Sequence, residues 1–191
     1  YLTKSASAGN RKTFTFNAWV KLAGLGTARY LLTSYNGASD AGFTYLAITD
    51  GDKIKFAGYG TTYLETTQVL RDTSAYYMLT LSVDTTSATA NNRCRMYLNG
   101  TEITSFGTRN NPSQNTDLAY NQNSVDLVLG SNNYGGSKGA YFNGSMSHVH
   151  FIDGLAYDAD TFGNSDPTTG IWVAKTSPSV TYSGNSFFLK G

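Results

Sequence analysis

This 191-residue chain has few of the residues that staple, break or charge a protein. It has one cysteine, Cys94, so an internal disulfide is excluded. In "RCRMYL" alternation sets Cys94, Met96 and Leu98 against Arg93, Arg95 and Tyr97, and a buried, chemically quiet thiol is expected. There are three prolines and two glutamates, Glu65 and Glu102, and charged residues make up 14% of the chain. The net charge of +1 is dispersed, and no basic stripe exists to release counterions from a nucleic acid, so that partner class is excluded. No apolar run is long enough for membrane insertion as a helix. The first residues, "YLTKSASAGNRK", lack the apolar core of a signal peptide. The missing initiator Met fits a piece of a longer polypeptide.

What is abundant is Tyr (14), Phe (10) and Gly (20), set among Thr, Ser and Asn. That mixture, poor in helix formers, indicates an all-β protein. Period-two alternation recurs. "TFTFNAWV" puts Phe14, Phe16, Ala18 and Val20 on one face, and "YYMLTLSVD" buries Leu79, Leu81 and Val83. "FTYLAITDGDKIKFAG" is a hairpin, with Leu46, Ile48, Ile54 and Phe56 inward and a type I′ turn expected at Asp50-Gly51. "RCRMYLNGTEITSF" is a second, turning at Asn99-Gly100. "SVDLVLGS", with Leu127 and Leu129, "YFNGSMSHVHFIDG" and "NSFFLKG" complete the strands. "YDADTFG" (157–163) predicts one helical turn capped by Asp158. Residues 36–42, 108–123 and 131–140 are expected to be surface loops. The pattern predicts an antiparallel β-sandwich spanning 1–191 as one domain.

Three stretches, "FTFNAWVKL", "SAYYMLTLSVDTTSATANNRCRMYLNGTEITSF" and "YFNGSMSHVHFIDGLAYDADTFG", together resemble laminin-G-like domains of the concanavalin A-like lectin/glucanase superfamily. The resemblance implies a concanavalin A-like jelly roll. "HFIDGLAYDADTFG" and "GNSFFLKG" are similar to versions in bacteriophage tail-fibre and other virion proteins. The implied role is a non-catalytic adhesion domain on the virion surface, on a tail fibre or capsid appendage, recognising host-surface glycan. The alternative is a structural decoration protein contacting other virion subunits. Assembly as a homo-oligomer, a trimer or larger, is also implied. The chain departs from the family where Trp-Tyr-His often stands, here Tyr76-Tyr77-Met78, and where many members carry Glu, here His148. Some relatives bind calcium at the sandwich rim, but no acidic set matches those positions, and no metal or cofactor is expected.

His148 and His150 fall on one strand face, but zinc needs three or four converging ligands and no third one is evident. Glycoside hydrolysis needs two carboxylates across the scissile bond. The superfamily's hydrolases carry them as E-x-D-x-E, which is missing here, so catalysis is not expected and a glycanase stands as a further alternative. Binding remains. Sugars lie against aromatic faces while amides and hydroxyls bond their hydroxyl groups. That vocabulary occurs at Tyr35, Tyr59 and Tyr63, at Tyr120 with Asn121 and Asn123, and at Asn132, Asn133 and Tyr134. Tyr134 leads, because the glycines after it let backbone approach a ligand closely.

Overall fold

The computed structural model describes residues 1–39 and 41–191; Asp40, within the 36–42 loop, lies outside the described residues. In chain order the strands are β1 (Leu2–Ser5), β2 (Thr13–Leu22), β3 (Arg29–Tyr35), β4 (Phe43–Ile48) and β5 (Lys53–Gly58). There follow β6 (Thr62–Val69), β7 (Tyr77–Asp84), β8 (Cys94–Leu98), β9 (Thr101–Glu102) and β10 (Phe106–Arg109). The last are β11 (Asp126–Leu129), β12 (Gly144–Asp153), β13 (Gly163–Ser165), β14 (Trp172–Ala174) and β15 (Phe187–Leu189). The front sheet runs β1-β11-β3-β4-β5-β6-β10, the back sheet β15-β12-β2-β7-β8-β9, and β13 and β14 form a separate hairpin.

The two sheets face each other across an apolar core laid out in cross-strand rows. In the back sheet Phe16 pairs with Leu81 and Leu81 with Met96, while Phe14 pairs with Val83 and Val83 with Cys94. All are buried, with Leu98, Leu127 and Leu129 and the inward positions of the front sheet, Leu46, Ile48, Ile54 and Phe56. The all-β sandwich expected from alternation is therefore the observed architecture. Cys94 is fully buried, and burial pushes its thiol well above its ordinary range, consistent with a packing role.

The Asn99-Gly100 turn has both central residues at positive φ, 47° and 82°, as a type I′ turn requires. The Asp50-Gly51 expectation needs correction. The left-handed residue is Asp52 (φ 56°), following a turn in which the Asp52 amide donates to the Thr49 carbonyl at 3.0 Å. Asp tolerates this conformation, and tertiary contacts hold it there. Its carboxylate accepts the Gly26 amide at 2.9 and 3.0 Å and lies 3.8 Å from the Arg29 guanidinium.

Two further expectations fail because the chain covers surfaces that strand periodicity leaves open. Residues 108–123 are not wholly a surface loop, since Leu118, Ala119, Tyr120 and Asn121 are buried. Tyr97, expected outward, is also buried. A second apolar layer of Met78, Tyr97, Ile152, Ala159 and Phe162, with Trp19 and Trp172 at its margin, lies on the outer face of the back sheet. The helical turn forms at Ala159–Thr161, but Asp158 makes no side-chain cap. Its carboxylate instead accepts the Tyr97 hydroxyl at 2.9 Å and pairs with Arg95 at 2.8 Å.

Asp153 ties distant segments together. One carboxylate oxygen accepts the Asn10 amide (2.8 Å) and Asn121 Nδ2 (3.0 Å), and the other accepts the Asn185 amide (3.0 Å). Gly9 passes so close that a Cβ there would stand 2.2 Å from that carboxylate. The segments that precede β2, follow β10 and precede β15 all converge on this one buried side chain.

Candidate functional site

The outward positions of β3 and β4 are aromatic. Because Leu46 and Ile48 point into the core, Phe43, Tyr45 and Ala47 must face out, and Tyr35 pairs with Phe43 across the ladder. The 131–140 loop folds over this end of the sheet, pinned by an Asn132–Gly139 bridge. Asn132 Oδ1 accepts the Tyr134 amide at 3.0 Å, and Gly135 and Gly136, at φ 66° and 79°, turn the chain so that Tyr134 stands over the sheet.

Three residues singled out in the sequence thereby meet. The Tyr134 ring lies 5.3 Å from Tyr35, 5.3 Å from Phe43 and 5.9 Å from Tyr59, the last pair stacked. Tyr45 continues the strip, 5.1 Å from Phe43 and 5.2 Å from Tyr30. Tyr134 and Tyr59 remain 43% and 48% exposed, which large aromatics do not need for packing alone. Buried Ala47 and Ala57 form a low floor beside Tyr45.

All the phenols that titrate abnormally here are pushed away from ionisation. A hydrogen bond with Tyr59, the charge Tyr59 would carry, and Tyr35 raise Tyr134. Burial, then Tyr30 and Glu65, push Tyr45 up to about 12, and burial raises Tyr30. At neutral pH their hydroxyls are intact donors and acceptors.

Other candidates fall elsewhere. Tyr120 is 0% exposed: its ring packs edge-on to Phe14 at 5.2 Å and its hydroxyl donates to the Leu32 carbonyl at 2.9 Å. It is core and leaves the set of ligand contacts, as does buried Tyr63, which packs on Phe56. Asn133 is buried and its Oδ1 accepts the Lys138 ammonium, so both loop asparagine carbonyls serve the loop itself. Sequence reasoning missed Phe43, Tyr45 and Tyr30. The signal for the first two was present, since the alternation that buries Leu46 turns them outward.

His148 lies within a β-bulge and His150 just after it. Ser147 pairs with Trp19 and His150 with Asn17, so His148, at φ 47°, and Val149 together take the place opposite Ala18. Both imidazoles contact Phe188, at 6.2 and 4.4 Å. Among the described residues, no three of His, Cys, Asp and Glu cluster as metal ligands. His150 Nδ1 is 2.6 Å from the Tyr182 hydroxyl, and burial, then the neighbouring His148, lowers its pKa to about 4. Above about pH 6.5 the folded and unfolded chains both hold it neutral. Between 6.5 and 4 the unfolded chain takes up a proton that the folded one refuses. This term therefore costs stability as pH falls through that window, up to about 3 kcal/mol. Denaturant titrations at pH 7 and pH 4.5 are expected to show the loss, and His150→Gln to flatten it; an equal slope in the variant would refute the assignment.

Both tryptophans line a different hollow, of about 470 Å³, on the back sheet with Tyr76, His148 and Val173. Trp172 lies against Gly100 and Gly163, where any Cβ would meet its ring at 2.5 Å, and its Nε1 donates to Met78 Sδ at 3.2 Å. This hollow is mostly apolar, whereas the front-sheet strip combines rings with hydroxyls.

The profile of the concanavalin A-like lectin/glucanases superfamily matches residues 1–161. No curated protein matches the chain. Among solved structures, the native heptameric SAP-like pentraxin of Limulus polyphemus is similar over 98% of this chain and 87% of that one, at 11% identity and a TM-score of 0.61. The CBM40 of Ruminococcus gnavus IT-sialidase, bound to α2,3-sialyllactose, is similar over 76% of this chain and 87% of that one (17%, 0.51). Domain 4 of AbnA, an extracellular GH43 arabinanase from Geobacillus stearothermophilus, in complex with arabinotriose, is similar over 81% and 67% (15%, 0.55). At these identities the likeness is one of fold.

Proposed function

Since the chain belongs to the concanavalin A-like lectin/glucanases superfamily, we propose that it is a non-catalytic carbohydrate-binding module whose ligand lies on the front-sheet strip. One observation carries the reading: Tyr35, Tyr59 and Tyr134, from three separate parts of the chain, converge while two of them stay open to solvent. Stacking rings with a few hydroxyls at their edges is the composition of a site for a polyhydroxylated ring. The solved carbohydrate-binding modules of similar fold add support. The proposal extends to context: a host-glycan adhesin on a bacteriophage virion, on a tail fibre or capsid appendage, acting as a trimer or larger. The motif resemblance of "HFIDGLAYDADTFG" supports this, as does the gain in avidity that several weak sites obtain on one particle.

The purified domain is expected to bind a subset of a bacterial glycan array. Tyr134→Ala should weaken that binding about 2- to 13-fold, the loss of one aromatic contact of about 0.5–1.5 kcal/mol, with its melting temperature unchanged. Full binding by the variant would remove this strip from the site. A second reading, contact with other virion subunits, is favoured by the Trp19–Trp172 hollow and by Ile171 beside it, 63% exposed. Silence across the array would favour that role.

A further inference from the structure

The front-sheet strip is not electrically uniform. Four residues along β4 from Phe43, roughly 13 Å, Ala47 pairs with Lys55, and Lys55 pairs with Glu65 on β6. Phe56 and Leu64 are buried in the core, so Lys53, Lys55 and Glu65 face out on the same side as Tyr45. Both ammonium groups lean on that one carboxylate, at 3.9 and 3.8 Å. Two cations against one anion leave a surplus positive charge. Neither contact has the 2.7–2.9 Å length of a charge-assisted hydrogen bond, so neither lysine is locked. At the Tyr134 end the balance differs: Lys138 is turned to Asn133 and Tyr1. Asp126, the outward residue before Leu127, which pairs with Ser34, stands level with Tyr35.

We propose that the strip takes an anionic oligosaccharide, one ring against Tyr134 and Tyr59 and a carboxylate-bearing sugar past Tyr45 at Lys53 and Lys55. This deepens the glycan-binding reading and rests on it. The lysines are partly screened from water, 37% and 25% exposed, which strengthens their attraction for an anion relative to a fully solvated ammonium. The incoming carboxylate offers both lysines a second acceptor without displacing Glu65. At the other end Lys138 and Asp126 offset each other, so the surplus positive charge lies at Lys53 and Lys55.

The test compares trimers of galacturonate, mannuronate and glucuronate with their methyl esters, which keep the rings and remove the charge, by calorimetry on the whole chain. At least one acid trimer is expected to bind about five- to tenfold more tightly than its ester at low salt, the margin shrinking at about 0.5 M salt. Lys53→Gln and Lys55→Gln should each reduce the margin, and the double variant should abolish it while the ester's affinity stays. Lys12→Gln, a surface lysine outside the strip, should leave it intact. Equal binding of acids and esters, lost in Tyr134→Ala, would overturn the anionic preference and keep the glycan site. A margin that survives the double lysine variant would place the anion elsewhere and overturn it too. Binding of neither form by the parent chain would overturn the inference together with the reading beneath it.

Discussion

Replacing Asp153 with alanine is expected to cost about 3–5 kcal/mol, a fall in Tm on the order of 10 °C for a chain of this size. The carboxylate is 5% exposed and receives three hydrogen bonds from three different segments. Removing it strands the Asn10 and Asn185 amides and takes one of two acceptors from Asn121 Nδ2, leaving Asn10 O at 2.7 Å. A stranded buried donor costs about 1–3 kcal/mol, more than the bond was worth in net terms. Asp153→Asn keeps the shape but turns an amide donor toward at least one of these N–H groups, so an intermediate loss is expected. Denaturant unfolding reads both, and a loss below about 1 kcal/mol for alanine would mean that water satisfies the three segments without the carboxylate.

Leu81→Ala is the second large effect. Leu81 is 1% exposed and sits mid-row between Phe16 and Met96, at the centre of the back sheet's inner face. Truncation removes apolar contact and leaves a cavity that neighbours on two ladders cannot close, for about 2–5 kcal/mol. Leu2→Ala, on edge strand β1 with 58% exposure, is the contrast and should change little. If the two variants unfolded at the same urea midpoint, the row would not be the centre of the core.

How much of this was legible depended on which surface a residue met. Phe14, Phe16, Leu79, Leu81 and Met96 were readable because sheet-on-sheet packing preserves period two. Tyr97 was not. Its face is covered by residues 157–180, too short of alternation to announce that they would lie on a sheet. Tyr120 sits in a polar stretch, and the acceptor that permits its burial, the Leu32 carbonyl, is 88 residues away. At Asp50-Gly51 the dipeptide located the turn, but Gly26 and Arg29 decided that Asp52 would take the left-handed conformation. In the candidate site the residue types were visible at Tyr35, Tyr59 and Tyr134. Their convergence was not, because it follows from strand order, which no local pattern encodes.

The Asp153 junction also has a consequence for how the chain comes together in time. Ser7 and Asn185 exchange hydrogen bonds across 178 residues, from the Ser7 amide to Asn185 Oδ1 at 2.8 Å and from Asn185 Nδ2 to the Ser7 carbonyl at 2.8 Å. Neighbouring β1 finds its partner only at β11. Within this chain β1 must wait for β11, and Ser7 for Asn185, before either has its native partner. Loop closure of this length carries its entropy cost before any contact rewards it. The ladder of β3 to β6, built from neighbours in sequence, can form early, and the two ends close over it last. Until β1 docks, β11 is paired with β3 on one side only and its other edge is open to another chain, the stage at which a sandwich of this kind is most exposed to misassembly.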